Sequence, residues 1–138
     1  MAMHTVKKAA SRPRIVIAEN EHARLTALAE RALDGASPAA EYLVEELSRA
    51  HIVPEASFSP HVARIGSRVT FVDEAARRKH EVTLVYPTAA DVDRQRISVL
   101  TPVGAALIGM SPAQSIEWPA PDGSTRVLTV LAVHNDAP

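Results

Sequence analysis

The feature that most constrains this chain is a change of hydrophobic period across residues 52–60, where Pro54 and Pro60 interrupt the sequence. Before that stretch apolar residues recur at helical spacing, and after it they alternate as in strands. A chain that makes this switch once, with no internal repeat, must join a helical piece to a sheet piece. Its 138 residues leave room for one domain or two very small ones. The expected fold class is α+β: a short N-terminal antiparallel helical hairpin of coiled-coil kind, then an antiparallel sheet domain with one helix.

Residues 1–13 mix small and basic side chains without periodicity and are expected to be a flexible tail. Residues 14–53 make up the hairpin unit. The run Arg14 to Ala18 is β-prone, and Asn20 stands as an N-cap candidate with Glu21 favourably placed in the first turn. Leu25, Leu28, Ala29, Ala32 and Leu33 then fall on one helical side. Asp34-Gly35 should stop that helix through a left-handed glycine. Ser37-Pro38 starts a second helix, with Ser as cap, Pro in the first turn and Glu41 beside it, and Tyr42, Leu43, Leu47 and Ala50 extend its apolar side to about His51. Helices joined so tightly must run antiparallel. Each arm is then about 20 Å long at 1.5 Å per residue.

Residues 54–63 read as a linker and residues 64–138 as the second domain. Residues 68–72 and 80–86 alternate and are expected to pair antiparallel, with Arg96 to Leu100 as a third strand. Thr101-Pro102 caps a short helix that Gly109 ends. Two further strands, near 114–118 and 126–133, are joined by the turn sequence Pro121-Asp122-Gly123.

Composition narrows the chemistry. The absence of cysteine removes disulfides, thiolate metal sites and cysteine nucleophiles together. Aromatics are only 4% of residues, which disfavours pockets built on stacking. No apolar run approaches the ~20 residues of a membrane span, and none follows Lys7, Lys8, Arg12 and Arg14 to make a signal peptide. The cytoplasm is the expected location. Residues 15–58 carry eight carboxylates against three arginines, a net of −5. Such a segment repels nucleic acid, so the charge argues against direct DNA binding and favours a protein partner.

Candidate sites are few. His4, His22, His51, His61, His80 and His134 include no pair at the i, i+4 spacing of a helical metal motif, and they read as scattered surface histidines. Ser37, Ser67 and Ser98 lack a nucleophile-elbow context. The five glycines are dispersed, so there is no phosphate loop. Neither a metal nor a cofactor is implied. Arg77-Arg78-Lys79 reads as a solvated basic hairpin tip, Trp118 as core, and Glu41, Glu45 and Glu46 as an acidic, solvated helix face.

The stretch from Arg96 through Leu100-Thr101-Pro102-Val103-Gly104 and Ala105-Ala106-Leu107 to Gly109 resembles the C-terminal domain of the Gre transcription factors. Gly66-Ser67-Arg68-Val69 and Val82-Thr83-Leu84-Val85-Tyr86-Pro87 extend the likeness. The opening Arg12-Pro13-Arg14-Ile15-Val16-Ile17 and the short hairpin are most similar to the Rnk branch of that family. Two departures stand out: Leu100 occupies a position where cleavage factors commonly have an acid, and Ala113-Gln114 replaces a usual Gly-Asp.

The resemblance implies an FKBP-like C-terminal domain that docks on core RNA polymerase at the rim of the secondary channel. The docking corner would be Leu100, Thr101, Pro102, Val103 and Gly104. The hairpin, with Glu30 and Asp34 towards its tip and Glu41 and Glu45 on its acidic face, would project towards the channel and compete with longer Gre factors. Cleavage factors hold a metal ion through acids at a long coiled-coil tip; here Asp34 stands beside a helix-ending glycine on a short arm. Transcript cleavage is therefore not expected, and no residue is assigned a catalytic role. Two other readings are a peptidyl-prolyl isomerase, suggested by the FKBP-like fold, and an interaction module with another partner. The projecting arm is the assumption most open to structural test, since residues 20–51 packed into the sheet as core would overturn it.

Overall fold

Ile15 begins the ordered core, and the strand that follows it, β1 (Val16–Ala18), runs without a loop into helix α1 (Glu19–Leu33). The computed structural model describes residues 12–35, 37–120 and 122–135. Most of the expected tail, His4, Ala36 at the hairpin tip and Pro121 of the last turn lie outside these residues. Because β1 leads straight into α1, the N-cap is extended Ala18 and no side chain caps the helix. Asn20 is therefore inside the helix and not its cap. Glu19 and Glu21 in the first turn instead supply negative charge at the positive end of the dipole.

Helix α2 (Pro38–Arg49) starts as its sequence demands. The Ser37 hydroxyl oxygen accepts from the Ala40 amide at 3.1 Å, and Pro38 occupies the first turn, where no intrahelical donor is needed. Gly35, by contrast, is absent from the left-handed residues, so α1 ends on Asp34 in helical geometry. Extended Ala50 ends α2 earlier than expected. His51–Val53 then form β2, a parallel partner of β1 in which Val16 faces His51 and Ala18 faces Val53. The connecting segment 54–63 contains a short 3-10 turn at Glu55–Ser57, and Val62 and Ala63 at its end are buried.

The second sheet has five strands in the order β5-β4-β3-β7-β6, formed by β3 (Arg68–Asp73), β4 (Arg78–Val85), β5 (Arg96–Ser98), β6 (Ser115–Pro119) and β7 (Thr125–His134). Three of its pairs are antiparallel, but β4 and β5 run parallel, with Thr83 opposite Arg96. The connection over residues 86–95 folds into two 3-10 turns and is long enough to carry the chain back, so a uniformly antiparallel sheet was too simple an expectation. A bulge opposite Thr70 and Phe71 shifts the β3–β7 register and helps curl the sheet. Helix α3 (Pro102–Leu107) packs on the inner face.

One continuous core joins the two parts. Leu25, Ala29, Leu43 and Leu47 from the hairpin are buried in the same cluster as Val69, Leu84, Leu107, Ile116, Trp118 and Leu128. Each fully buried leucine contributes about 2 kcal/mol of hydrophobic stabilisation. The hairpin therefore lies against the sheet domain with its inner face as core, and the projecting arm is corrected. The physical reason is its amphipathicity: a two-helix hairpin this short cannot cover its own apolar side. Gly109 knits the ends together. Its φ is +80°, its carbonyl accepts from the Val16 amide at 3.1 Å, and an added Cβ would stand 2.9 Å from the Ile15 Cβ.

Candidate functional site: the corner and the hairpin beside it

The corner begins where β5 ends. Val99 is tied to β4 by its amide on the Val85 carbonyl at 2.9 Å, and the Leu100 amide donates to the Ser98 hydroxyl at 2.9 Å. The Thr101 hydroxyl donates to the Ser98 carbonyl at 2.7 Å while its oxygen accepts from the Gly104 amide at 3.1 Å. Pro102 fills the first helical position. Gly104 is required there, since a Cβ would collide with the Ser98 carbonyl. Leu100, Thr101, Pro102 and Val103 are half-exposed while Gly104 is buried. The result is a stiff, uncharged edge presenting Pro102 beside Leu100 and Val103.

The start of α2 lies next to this edge. Pro38, Ala39, Tyr42, Pro102, Pro119 and Ala120 line a cavity of about 380 Å³ between the hairpin and the corner. The Tyr42 hydroxyl donates to the Glu117 carbonyl at 3.3 Å, bridging α2 and β6. Burial, reinforced by Glu46, pushes the Tyr42 phenol well above its ordinary range and keeps it protonated. The corner and the start of α2, read separately from sequence, are thus neighbours.

The acidic residues divide. Glu30, Asp34, Glu41 and Glu45 are exposed, with Glu41 and Glu45 four apart on α2, and Glu45 reaches Arg12 at 3.8 Å. Glu46 is different: it is 1% exposed, and it accepts from Arg12 at 2.8 Å and from Arg49 at 2.6 and 3.1 Å. Arg49 also donates to the Pro13 carbonyl at 2.6 Å, so Arg12 and Pro13 are tied down and do not belong to a loose tail. Reading Glu46 with the solvated acids missed this. The signal was available, because Ala39, Leu43, Glu46 and Ala50 follow the 4-3-4 spacing of a buried stripe.

Arg64 is a second clasp that sequence reasoning did not find. It donates to both Glu55 oxygens at 2.7 and 2.8 Å and to Glu21 at 3.0 Å, and it sits 4.4 Å from the Phe58 ring centre. These contacts raise the Arg64 guanidinium above its ordinary value and hold the Glu55 carboxyl below its own, chiefly through their shared hydrogen bonds. Arg64 therefore joins α1 and the connecting segment to the sheet domain.

Among the described residues, no group of three or more His, Asp or Glu side chains could hold a metal ion, and no helix is long and apolar enough to cross a membrane. Arg77 stands in the β3–β4 turn with φ +54°, while Arg78 and Lys79 begin β4, and all three are exposed. Trp118 is buried as expected. In the turn before β6, Ala113 takes φ +75°, and Gln114 closes the turn by accepting from the Ser111 amide at 2.9 Å. The Ala-Gln departure leaves a left-handed turn in place.

A docked helical hairpin, a curled sheet and a Thr-Pro-x-Gly corner together define a Gre-like transcription factor. The chain belongs to the GreA/GreB family: the family model described as transcription elongation factor GreA/GreB, C-terminal, matches residues 59–135, and that described as Rnk N-terminus matches residues 13–53. It is 35% identical over 121 residues to the regulator of nucleoside diphosphate kinase of Escherichia coli K12, which covers 88% of this chain and 89% of that protein. It is 32% identical over 127 residues to transcription elongation factor GreA of Nitrobacter winogradskyi, with 86% of this chain and 80% of that protein covered. Among solved structures, the GreA/GreB elongation factor of Nitrosomonas europaea superposes with a TM-score of 0.69 at 34% identity, over 90% of this chain and all of that one.

Proposed function

We propose that the protein is a non-enzymatic transcription regulator that binds core RNA polymerase at the rim of the secondary channel and competes there with Gre cleavage factors. The observation that carries the reading is the corner of a Gre-family chain at Leu100, Thr101, Pro102, Val103 and Gly104, rigid, uncharged and, but for buried Gly104, half-exposed. Its half-buried apolar edge offers contact area at little conformational cost. Because the start of α2 flanks Pro102 across a shared cavity, the footprint is one composite surface of corner and hairpin. Exposed Glu41 and Glu45 then give it negative charge suited to a basic channel entrance.

Stimulation of transcript cleavage is not part of this function. The longer helix, α1, has 15 residues and spans about 22 Å, its inner face is buried, and its described tip residues offer the single carboxylate Asp34. An isomerase reading finds little support, since Phe71 and Trp118, two of the sheet domain's few aromatics, are buried in the core.

The test is capture of the purified protein by core polymerase and its displacement by a Gre factor. Pro102→Asp should abolish capture while the circular dichroism spectrum stays native; unchanged capture would remove the corner from the account. Shortening of the RNA 3′ end in a stalled complex on adding the protein would refute the absence of cleavage.

A further inference from the structure

On the other side of the hairpin, Arg24, Leu28, Arg31, Tyr86, Pro87 and Thr88 line a groove of about 480 Å³ between α1 and the turn that follows β4. The guanidinium of Arg24 lies 5.2 Å from the centre of the Tyr86 ring, which orders it over an uncharged face. Burial holds the Tyr86 phenol above its ordinary value, so the ring stays neutral. Among the described residues neither Arg24 nor Arg31 has an ion-pair partner. Glu21, one turn before Arg24, is engaged by Arg64 at 3.0 Å instead. Asp34, one turn after Arg31, makes no pair with it. In a helix otherwise rich in carboxylates, two unpaired arginines thus border a groove whose lining contains no acid.

The spacing selects a ligand. Seven residues along a helix place the two arginines about 10.5 Å apart, with Ala27 and Leu28 between them. A peptide in the extended polyproline II form advances about 3.1 Å per residue with three residues per turn, so carboxylates three positions apart lie on one side about 9.3 Å apart, close to that interval. We propose that this groove docks an extended acidic segment of a protein partner, its two carboxylates on Arg24 and Arg31 and an apolar side chain between them on Leu28 and Pro87. Nucleic acid fits poorly: exposed Glu19, Glu30 and Asp34 on the same arm repel a continuous polyanion, and Arg24 already covers the one aromatic face available for stacking. The groove shares no lining residue with the 100–104 corner, so it stands or falls separately from polymerase capture.

Amide chemical shifts of the full-length protein, titrated with the capped peptide Ser-Glu-Leu-Val-Glu-Ser, test the proposal. Saturable shifts confined to residues 24–31 and 86–88 are expected, weakening as salt is added. The combined Arg24→Ala, Arg31→Ala variant should bind about tenfold more weakly, as loss of two exposed charge pairs predicts. Its remaining shifts should match the wild type, and the combined lysine replacement should recover part of the affinity. Equal binding of the peptide with both Glu replaced by Gln, unchanged binding by the alanine variant, absence of saturable shifts, or the same shifts from oligothymidylate would each overturn it.

Discussion

The corner at residues 98–104 and the dock of the hairpin form adjacent parts of one surface, yet they are held in different ways. In the corner most bonds are local: Leu100 and Thr101 bond to Ser98 and Gly104 bonds to Thr101, with the Val99 amide on Val85 the one distant tie. The hairpin is held by partners distant in sequence, Arg12 and Pro13 on Glu46 and Arg49, Arg64 on Glu21, and Tyr42 on Glu117. Local bonding makes that edge rigid. Distant bonding makes the hairpin's position a property of the whole fold.

Substitutions should separate these two modes, and the largest effect belongs to the corner. Gly104→Ala drives a methyl into the Ser98 carbonyl and should cost about 3 kcal/mol in urea unfolding, because backbone on both sides leaves no room to yield. A smaller loss is expected at the dock. Glu46→Ala removes a buried carboxylate shared by two arginines; since Arg12 and Arg49 retain 45% and 25% exposure and can rehydrate, the loss should be about 2 kcal/mol. Adding Arg12→Ala to that variant should cost little more, and full additivity of the two would show that the pair is not coupled. The smallest effect has the opposite sign. Ala113→Gly relieves a left-handed alanine and should raise stability by about 1 kcal/mol, seen as a higher midpoint of thermal unfolding.

The same contrast explains what could be read from residues alone. Ser37-Pro38 and Thr101-Pro102-x-Gly104 were legible because cap, fixed φ and missing Cβ each answer a demand within one turn of chain. The period change at Pro54 likewise marked the passage from helices to sheet. The parallel pairs β1–β2 and β4–β5 were not legible, because pairing depends on where the chain returns and three-residue strands carry almost no alternation. Asn20 misled because a cap preference presumes a loop before the helix, and here a strand precedes it. Glu46 misled for the converse reason: its helical position marked it as buried, but its charge reads as solvated until Arg12 and Arg49 are seen to neutralise it.

The crossing of Gly109 over Ile15 and Val16 sets an order of events during synthesis. A ribosome delivers the first strand and both hairpin helices long before it delivers the segment that completes their seat. Until then Leu25, Leu43 and Leu47 have no permanent cover, so a nascent chain halted short of residue 110 would hold helical segments without a finished interior. Maturation of the amino-terminal half is in this way postponed until most of the polypeptide exists.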